Sequence, residues 1–373
     1  MRNLSPLFTR NTDGFLCNLN LTDAEKVVLK EAKTKILERL RTDIAKILKH
    51  KHGVTVFPRF MSQGSSVYKT QNKPCISPPQ QIDHDLGCYL PLTIIEETGR
   101  PEVAATVFFQ IVDEILKRLV YEENWDGVST AKKTCSRVIV NKLIHIDIPL
   151  YSIPDKSFQL IKEATAAHRA EFSISMDSLS DWQTIKEQVL LAHRVDGWKP
   201  SDPKKLNDYF KKSFQVKGEQ LRRVCRYLKA WRDFKWKEGG PSSIYLMIIA
   251  DNIIKSEING RDDLALLDVL KGMSSFANGQ VRNPAEPTEI ISIDSVTNYQ
   301  MLTWSEEFKL ALERVIIGDV ESCSKACQMI RQHLGKRFPQ DSEYKNDIRD
   351  TVLNTPISDN CENRMPDNRS RAG

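Results

Sequence analysis

Three aspartates are spaced so that they can meet on one face of a sheet. Asp83 and Asp85 stand two residues apart in Ile82-Asp83-His84-Asp85-Leu86-Gly87-Cys88-Tyr89-Leu90, which reads as a strand. Alternate side chains of a strand share a face, so the two carboxylates point the same way and His84 points the other. Asp147 stands in a second strand-like run, His145-Ile146-Asp147-Ile148-Pro149-Leu150-Tyr151. Its flanks are apolar, and a charge buried there is costly without a partner. Carboxylate oxygens are the ligands a hard cation such as Mg²⁺ takes from protein, phosphate and water supplying the rest. Two such ions can neutralise a triphosphate, lower the pKa of an attacking hydroxyl and clamp both oxygens of an in-line displacement. That is the chemistry of nucleotidyl transfer, and Mn²⁺ can stand in for Mg²⁺.

A phosphate-binding turn lies 19 residues before the first aspartate, at Gln63-Gly64-Ser65-Ser66-Val67-Tyr68. Gly64 can adopt φ > 0 and lets backbone N–H groups approach a phosphate closely. Ser65 and Ser66 add hydroxyl donors. Tyr68 offers either a flat face for a base or an ordinary core ring. Taken singly these features are weak, since most Asp-x-Asp pairs are surface or turn residues and most Gly-Ser pairs are only turns. Their combination, with a third strand-borne aspartate, reads as a functional triad.

Two domains must position these groups, on the usual size of about 100–200 residues each for a chain of 373. We expect a nucleotidyltransferase core with its long N-terminal helix over 1–155, a mainly helical nucleotide-binding domain over 156–353, and a disordered tail over 354–373. Within the core, Leu21–His50 reads as one amphipathic helix opened by a Thr22/Glu25 capping box and stopped at Gly53. Val54–Phe57 is a short β-like run, Val103–Tyr121 a helix, and Arg137–Val140 a strand preceding that of Asp147. After Pro154 helices are expected at Asp181–His193, Lys204–Val216, Glu219–Lys235, Pro241–Glu257, Asp262–Lys271 and Ser305–Leu334. The fold class is thus α/β plus α: a mixed sheet, then a helical domain, two lobes around a cleft.

Composition narrows the setting. The net charge of +5 permits an anionic substrate without singling out nucleic acid, and the basic stretches are interleaved with acids as on solvated helix faces. No apolar run is long enough to span a membrane and the N-terminus is polar, so no membrane partner is expected. The eight cysteines form no CxxC pair, which argues against a cysteine metal site and for a reducing, cytoplasmic setting.

These motifs resemble the bacterial cGAS/DncV-like nucleotidyltransferases, and most closely the DncV-type cyclic GMP–AMP synthases. Beyond the turn and the two aspartate strands, the resemblance runs through Ala192-His193-Arg194-Val195-Asp196-Gly197-Trp198 and Ser201-Asp202-Pro203. It continues through Leu221–Asp233 and Gly239-Gly240-Pro241-Ser242-Ser243. It implies a polymerase-β-like core whose metals sit on Asp83, Asp85 and Asp147, and it places nucleotide along Gln63, Gly64, Ser65, Ser66, Val67 and Tyr68. It makes Lys229 a triphosphate clamp, Ser201 and Ser243 nucleotide-contacting hydroxyls, and Arg137 a contact for the second nucleotide. Read without the family, Lys229 is equally a solvated lysine on an amphipathic helix, and Ser242-Ser243 a helix start with a capping serine.

The resemblance further implies that ATP and GTP are joined to 3′,3′-cyclic GMP–AMP with loss of pyrophosphate, a messenger for a downstream effector in anti-phage (CBASS) defence. Relatives are often encoded beside ubiquitin-transfer-like enzymes, which makes Gly373 a candidate conjugation point. Two other readings stay open: a transferase acting on RNA or tRNA, and an inactive nucleotide-binding sensor. No dedicated basic RNA surface is evident, so nucleic acid is not expected as an obligatory partner.

Overall fold

The protein is described here by a computed structural model covering residues 2–53, 55–91, 101–155, 158–159 and 189–340. It divides into two compact units, one of residues 21–71 and 77–210, the other of residues 1–20, 72–76 and 211–373. The units interleave along the chain, where the sequence suggested a single division near residue 155. The expected tail lies outside the described residues.

The first unit is built on a seven-stranded sheet. Two short helices, α1 (Ser5–Thr9) and α2 (Phe15–Asn18), precede α3 (Asp23–His52). Thr22 and Glu25 close the expected capping box on α3, and Gly53 ends it in the left-handed conformation, φ 71°. Then follow β1 (Arg59–Gln63), the single turn α4 (Ser65–Tyr68), β2 (Ile82–Pro91) and α5 (Pro101–Glu122). The sheet is completed by β3 (Gly127–Ser129), β4 (Cys135–Asn141), β5 (Ile144–Ile153), β6 (Leu190–His193) and β7 (Gly197–Pro200).

Strand order is β1-β2-β5-β4-β3, with β6 pairing β5 and carrying β7. Only β2 and β5 run parallel; the other neighbours are antiparallel, so the sheet is mixed. One face is apolar. Ile82, Leu86, Cys88 and Leu90 of β2 join Ile144, Ile146, Ile148 and Leu150 of β5 against Ile36 and Leu40 of α3 and Phe109 and Val112 of α5. The opposite face carries the aspartates, and beyond them a smaller cluster of Met61, Tyr89, Tyr151 and Ile153. Period-two alternation thus puts core on one side of the same strands and chemistry on the other.

The second unit is mainly helical. Among the described residues the further α-helices are α6 (Pro203–Lys217), in which the boundary falls, α7 (Glu219–Lys235), α8 (Ser243–Ile253), α9 (Asp262–Gly272), α10 (Ser295–Ile317) and α11 (Cys323–Leu334). A two-stranded hairpin, β8 (Gln280–Arg282) with β9 (Ile290–Ser292), precedes α10. The first residues of the chain belong here. Leu4 N and Ser5 Oγ donate to the buried Asp263 carboxylate, and Phe8 and Phe15 pack on Tyr227.

Three expectations are corrected. The strand before the Gly64 turn is Arg59–Gln63 rather than Val54–Phe57, because it is the later segment that pairs with β2. The end of the expected Asp181–His193 helix is strand β6, drawn into the sheet by Tyr151 and Ser152 of β5; residues 181–188 lie outside the described residues. The expected Ser305–Leu334 helix is two helices, since α10 begins earlier under an Asp294 cap and ends at Gly318, φ 93°.

Candidate active site

The site is a row of residues running across the sheet. Asp85 of β2 is paired with Gln63 of β1 on one side and Asp147 of β5 on the other. Asp147 in turn faces Arg137 of β4. One step along, Asp83 is paired with His145. Parallel register brings side chains from β2 and β5 onto one face, so carboxylates 62 to 64 residues apart in sequence become neighbours. Oxygen or nitrogen atoms of Asp83, His145 and Asp147 all lie within 4.8 Å of one another, an arrangement able to hold a cation.

Each carboxylate has a different environment. Asp147 is buried and doubly matched: Arg137 Nε and Nη2 donate to its two oxygens at 2.6 and 2.8 Å, and Lys132 Nζ donates to Oδ2 at 2.7 Å. Asp83 is 48% exposed and lies 2.8 Å from His145 Nε2. Burial of the site acts to raise its pKa, but His145, with Lys132 and Arg137, outweighs that and holds it below the usual carboxylate range. Asp85 is the strained member. Burial first, then the charges of Asp83 and Asp147, push its pKa well up. Among the described residues its carboxylate has no hydrogen bond or ion pair.

Those features fit a divalent cation. The donors are hard carboxylate oxygens, one of them unpartnered and electrostatically unfavourable until a cation arrives. His145 adds a nitrogen oriented from behind. Gln81 Nε2 donates to the Asn141 carbonyl at 2.9 Å, which turns the Gln81 Oε1 toward His145 Nδ1 at 3.1 Å. With Nδ1 so engaged, the ring is held with Nε2 facing Asp83 at 2.8 Å.

The Gly64 turn abuts the same carboxylates. Gly64 sits at φ 64°, ψ −144°, and a Cβ there would lie 2.4 Å from Asp85 Oδ2. Its carbonyl accepts from Val67 N and Tyr68 N, leaving the amides of Ser65 and Ser66 at the helix start without an intrahelical acceptor. The Ser66 hydroxyl donates to the Gln63 carbonyl. The Gln63 side chain turns inward: its Nε2 donates to Tyr89 at 2.6 Å and its Oε1 accepts from Tyr151 at 3.1 Å. Tyr68 is buried against Phe210, the core alternative of the sequence reading. His84 points to the opposite face, where its ring meets Ser62 Oγ at 3.3 Å.

The structure therefore gathers Asp83, Asp85, Asp147, Gly64 and Arg137, and adds His145 and Lys132, which the sequence reading passed over. His145 carried a usable signal, standing two residues before Asp147 on an alternating strand. Lys132 carried none, since it reaches the site from the β3–β4 connection. Ser201 follows β7, its N–H donating to the Val189 carbonyl. Lys229 and Ser243 belong to the helical unit. Lys229 is buried on α7, not solvated; Ser243 opens α8 behind the Ser242 cap and accepts from Arg232 at 3.2 Å. Gly373 lies outside the described residues.

Comparison with known proteins agrees with this geometry. Residues 58–151 match the family described as "Cyclic GMP-AMP synthase DncV-like, nucleotidyltransferase domain". Residues 218–347 match the "Cyclic GMP-AMP synthase, C-terminal domain". The two stretches together make up more than half of the chain. The chain belongs to the DncV-like nucleotidyltransferase family. It is 40% identical over 220 residues to a cyclic GMP-AMP synthase of Escherichia coli, covering 56% of this chain and 50% of the relative. It is 38% identical over 248 residues to one of Vibrio cholerae, covering 62% and 56%. The matches thus span only about half the length of those curated relatives. Among solved structures, Vibrio cholerae DncV in complex with a linear intermediate superposes with a TM-score of 0.73 at 29% identity, covering 91% of this chain and 97% of that one. Escherichia coli DncV in a 3′-deoxy GTP bound form gives 0.72 at 26%, covering 91% and 98%. These likenesses establish the polymerase-β-like nucleotidyltransferase fold and the helical C-terminal domain of the family.

Proposed function

We propose that the chain is a metal-dependent nucleotidyltransferase that joins two nucleoside triphosphates into a cyclic dinucleotide. The observation that carries this reading is the pairing of Asp85 with Asp147 on parallel strands, beside Asp83 and against the Gly64 turn. Asp83, Asp85 and Asp147 would hold Mg²⁺, or Mn²⁺ in its place. When bound, the ion neutralises polyphosphate charge and eases ionisation of the acceptor hydroxyl.

The chain's own residues do the positioning. The amides of Ser65 and Ser66 are placed to receive donor phosphate oxygens, with the Ser65 hydroxyl beside them. Arg137 fixes the Asp147 carboxylate in plane through two parallel bonds, so its oxygens hold a set direction. The acceptor's ribose hydroxyl oxygen forms a bond to the donor α-phosphorus. The bond from that phosphorus to the β-phosphate's bridging oxygen breaks, pyrophosphate leaves and the hydroxyl proton passes to solvent. The linear product then turns round, and a second displacement of the same kind closes the ring.

ATP and GTP are the proposed substrates and 3′,3′-cyclic GMP–AMP the proposed product. The support is the name of the curated relatives and the substrate and intermediate complexes of DncV. A role in anti-phage signalling through a downstream effector, and conjugation at Gly373, are carried by the resemblance alone. Among the described residues no helix is long and apolar enough to cross a membrane.

The test is incubation of the protein with all four NTPs and Mg²⁺, phosphatase treatment, and mass analysis. A phosphatase-resistant cyclic product, absent from an Asp83→Ala, Asp85→Ala variant, is expected. No pyrophosphate release with either ion, or extension of an RNA primer instead, would overturn the reading.

A further inference from the structure

Two cations meet on the single Asp147 carboxylate. Arg137 already satisfies both oxygens, yet Lys132 adds a second cation on Oδ2 at 2.7 Å. The two differ in freedom. Arg137 projects from the middle of β4 and is 23% exposed, whereas Lys132 comes from a connection and is 50% exposed.

That connection is held from another part of the unit. Arg194, in the β6–β7 hairpin, donates its backbone N–H to the Lys133 carbonyl at 2.8 Å and its Nε to the Lys132 carbonyl at 3.3 Å. Its guanidinium is itself fixed, bridging both oxygens of the buried Asp113 at 2.7 and 3.0 Å and lying 4.0 Å over the Phe109 ring. A bidentate, stacked arginine is a rigid support. The hairpin motif around Arg194 has no part in the proposed chemistry, and the bonds it makes run to the backbone that presents Lys132.

We propose that Lys132, held in place by Arg194, is an internal counter-cation that a divalent ion must displace from Asp147, and that it thereby weakens the site's affinity for metal. The proposal rests on the nucleotidyltransferase reading above. Lys132 is the partner that yields, since its ammonium is flexible and half in solvent while Arg137 is locked by two bonds. Two effects act in the same direction: Lys132 occupies an oxygen the ion needs, and its charge repels the ion. Metal then enters most readily with the triphosphate it accompanies, whose negative charge can receive the released ammonium.

The experiment is a titration of Mn²⁺ into the full chain without nucleotide, followed by electron paramagnetic resonance, with thermal unfolding of each variant as a folding control. Lys132→Met should bind Mn²⁺ about two- to fivefold more tightly than the parent, the range expected for loss of a partly exposed ion pair. Lys132→Arg, which keeps the charge, should stay close to the parent. Arg194→Gln should move affinity in the same direction as Lys132→Met, because Lys132 is no longer held over Asp147. Unchanged or weaker Mn²⁺ binding in Lys132→Met would overturn the proposal, and parent-like binding in Arg194→Gln would remove Arg194 from it. Asp147→Asn separates the underlying reading: if it binds Mn²⁺ as the parent does, the metal site itself is misassigned.

Discussion

Asp85 of β2 lies directly opposite Asp147 of the parallel strand β5, and the two carboxylates are treated in opposite ways by their surroundings. Asp147 is clamped by Arg137 and Lys132. Asp85 is enclosed beside two other acids, and its pKa is pushed up by burial, then by Asp83 and Asp147. A carboxylate kept in so unfavourable a place is a stability cost retained for function.

Asp85→Asn should therefore inactivate and stabilise at once. Removing a metal oxygen and its charge is expected to lower kcat by about 10³-fold or more, a loss of several kcal/mol of transition-state stabilisation. Relief of the repulsion should raise Tm by about 2 °C or more. Asp147→Asn should also inactivate but lower Tm, because it leaves Arg137 and Lys132 facing an amide. Equal Tm changes in the two variants would show that the asymmetry between them is not energetic.

Gly64→Ala tests how closely the turn and the carboxylate are fitted. The backbone angles at Gly64 exclude L side chains at about 1–3 kcal/mol, and the added Cβ would lie 2.4 Å from Asp85 Oδ2. The turn cannot relax without moving either the Ser65 amide or Asp85. Turnover should fall at least about tenfold with a lowered Tm. Full activity in Gly64→Ala would mean that neither the turn geometry nor its contact with Asp85 matters.

How much of this was legible in the sequence depends on the range of the interaction. Asp83 and Asp85 sharing a face, with His84 behind them, follows from strand alternation alone, as does the Thr22–Glu25 cap from local spacing. That Asp147 joins them follows only in outline. Its register against Asp85 is fixed by a parallel pairing across the whole of α5 and β4, which no local pattern encodes. Leu190–His193 read as helix because leucine and alanine favour one, and pairing with Tyr151 and Ser152 overrode that preference. Lys132 and Arg194 were invisible as site residues for the same reason. Their partners are set by the packing of a loop and a hairpin onto β4 and α5, not by their neighbours in sequence.

Stability should also respond to pH through His333 in the helical unit. Its ring stacks on Phe308 at 4.8 Å, and burial first, with the charge of Lys235 adding, lowers its pKa to about 4. The folded state thus resists a proton that the unfolded chain accepts near pH 6.5. The stabilisation is fully present above that pH and is lost as pH falls from about 6.5 toward 4. His333→Phe keeps the stacked ring without the titration. The difference in Tm between variant and parent should shift in favour of the variant between pH 7 and pH 5; a difference that does not change with pH would refute the assignment.

Lys229 gives the sharpest separation of structure from function in the helical unit. It is 6% exposed on α7, among Cys225, Leu228 and Trp231, which are buried with it. A lysine placed there for stability alone would be an odd choice, since removing an ammonium from water is unfavourable and an apolar chain of similar volume packs as well. Lys229→Met keeps the buried stem and deletes only the charge. If the ammonium serves the triphosphate, KM for the nucleotides should increase by about 10- to 100-fold, the loss of one charged hydrogen bond to phosphate, whatever the change in Tm. The comparison needs both measurements. A lowered Tm with unchanged KM would assign Lys229 to an internal ion pair of the helical unit, and the triphosphate contact would have to be sought elsewhere.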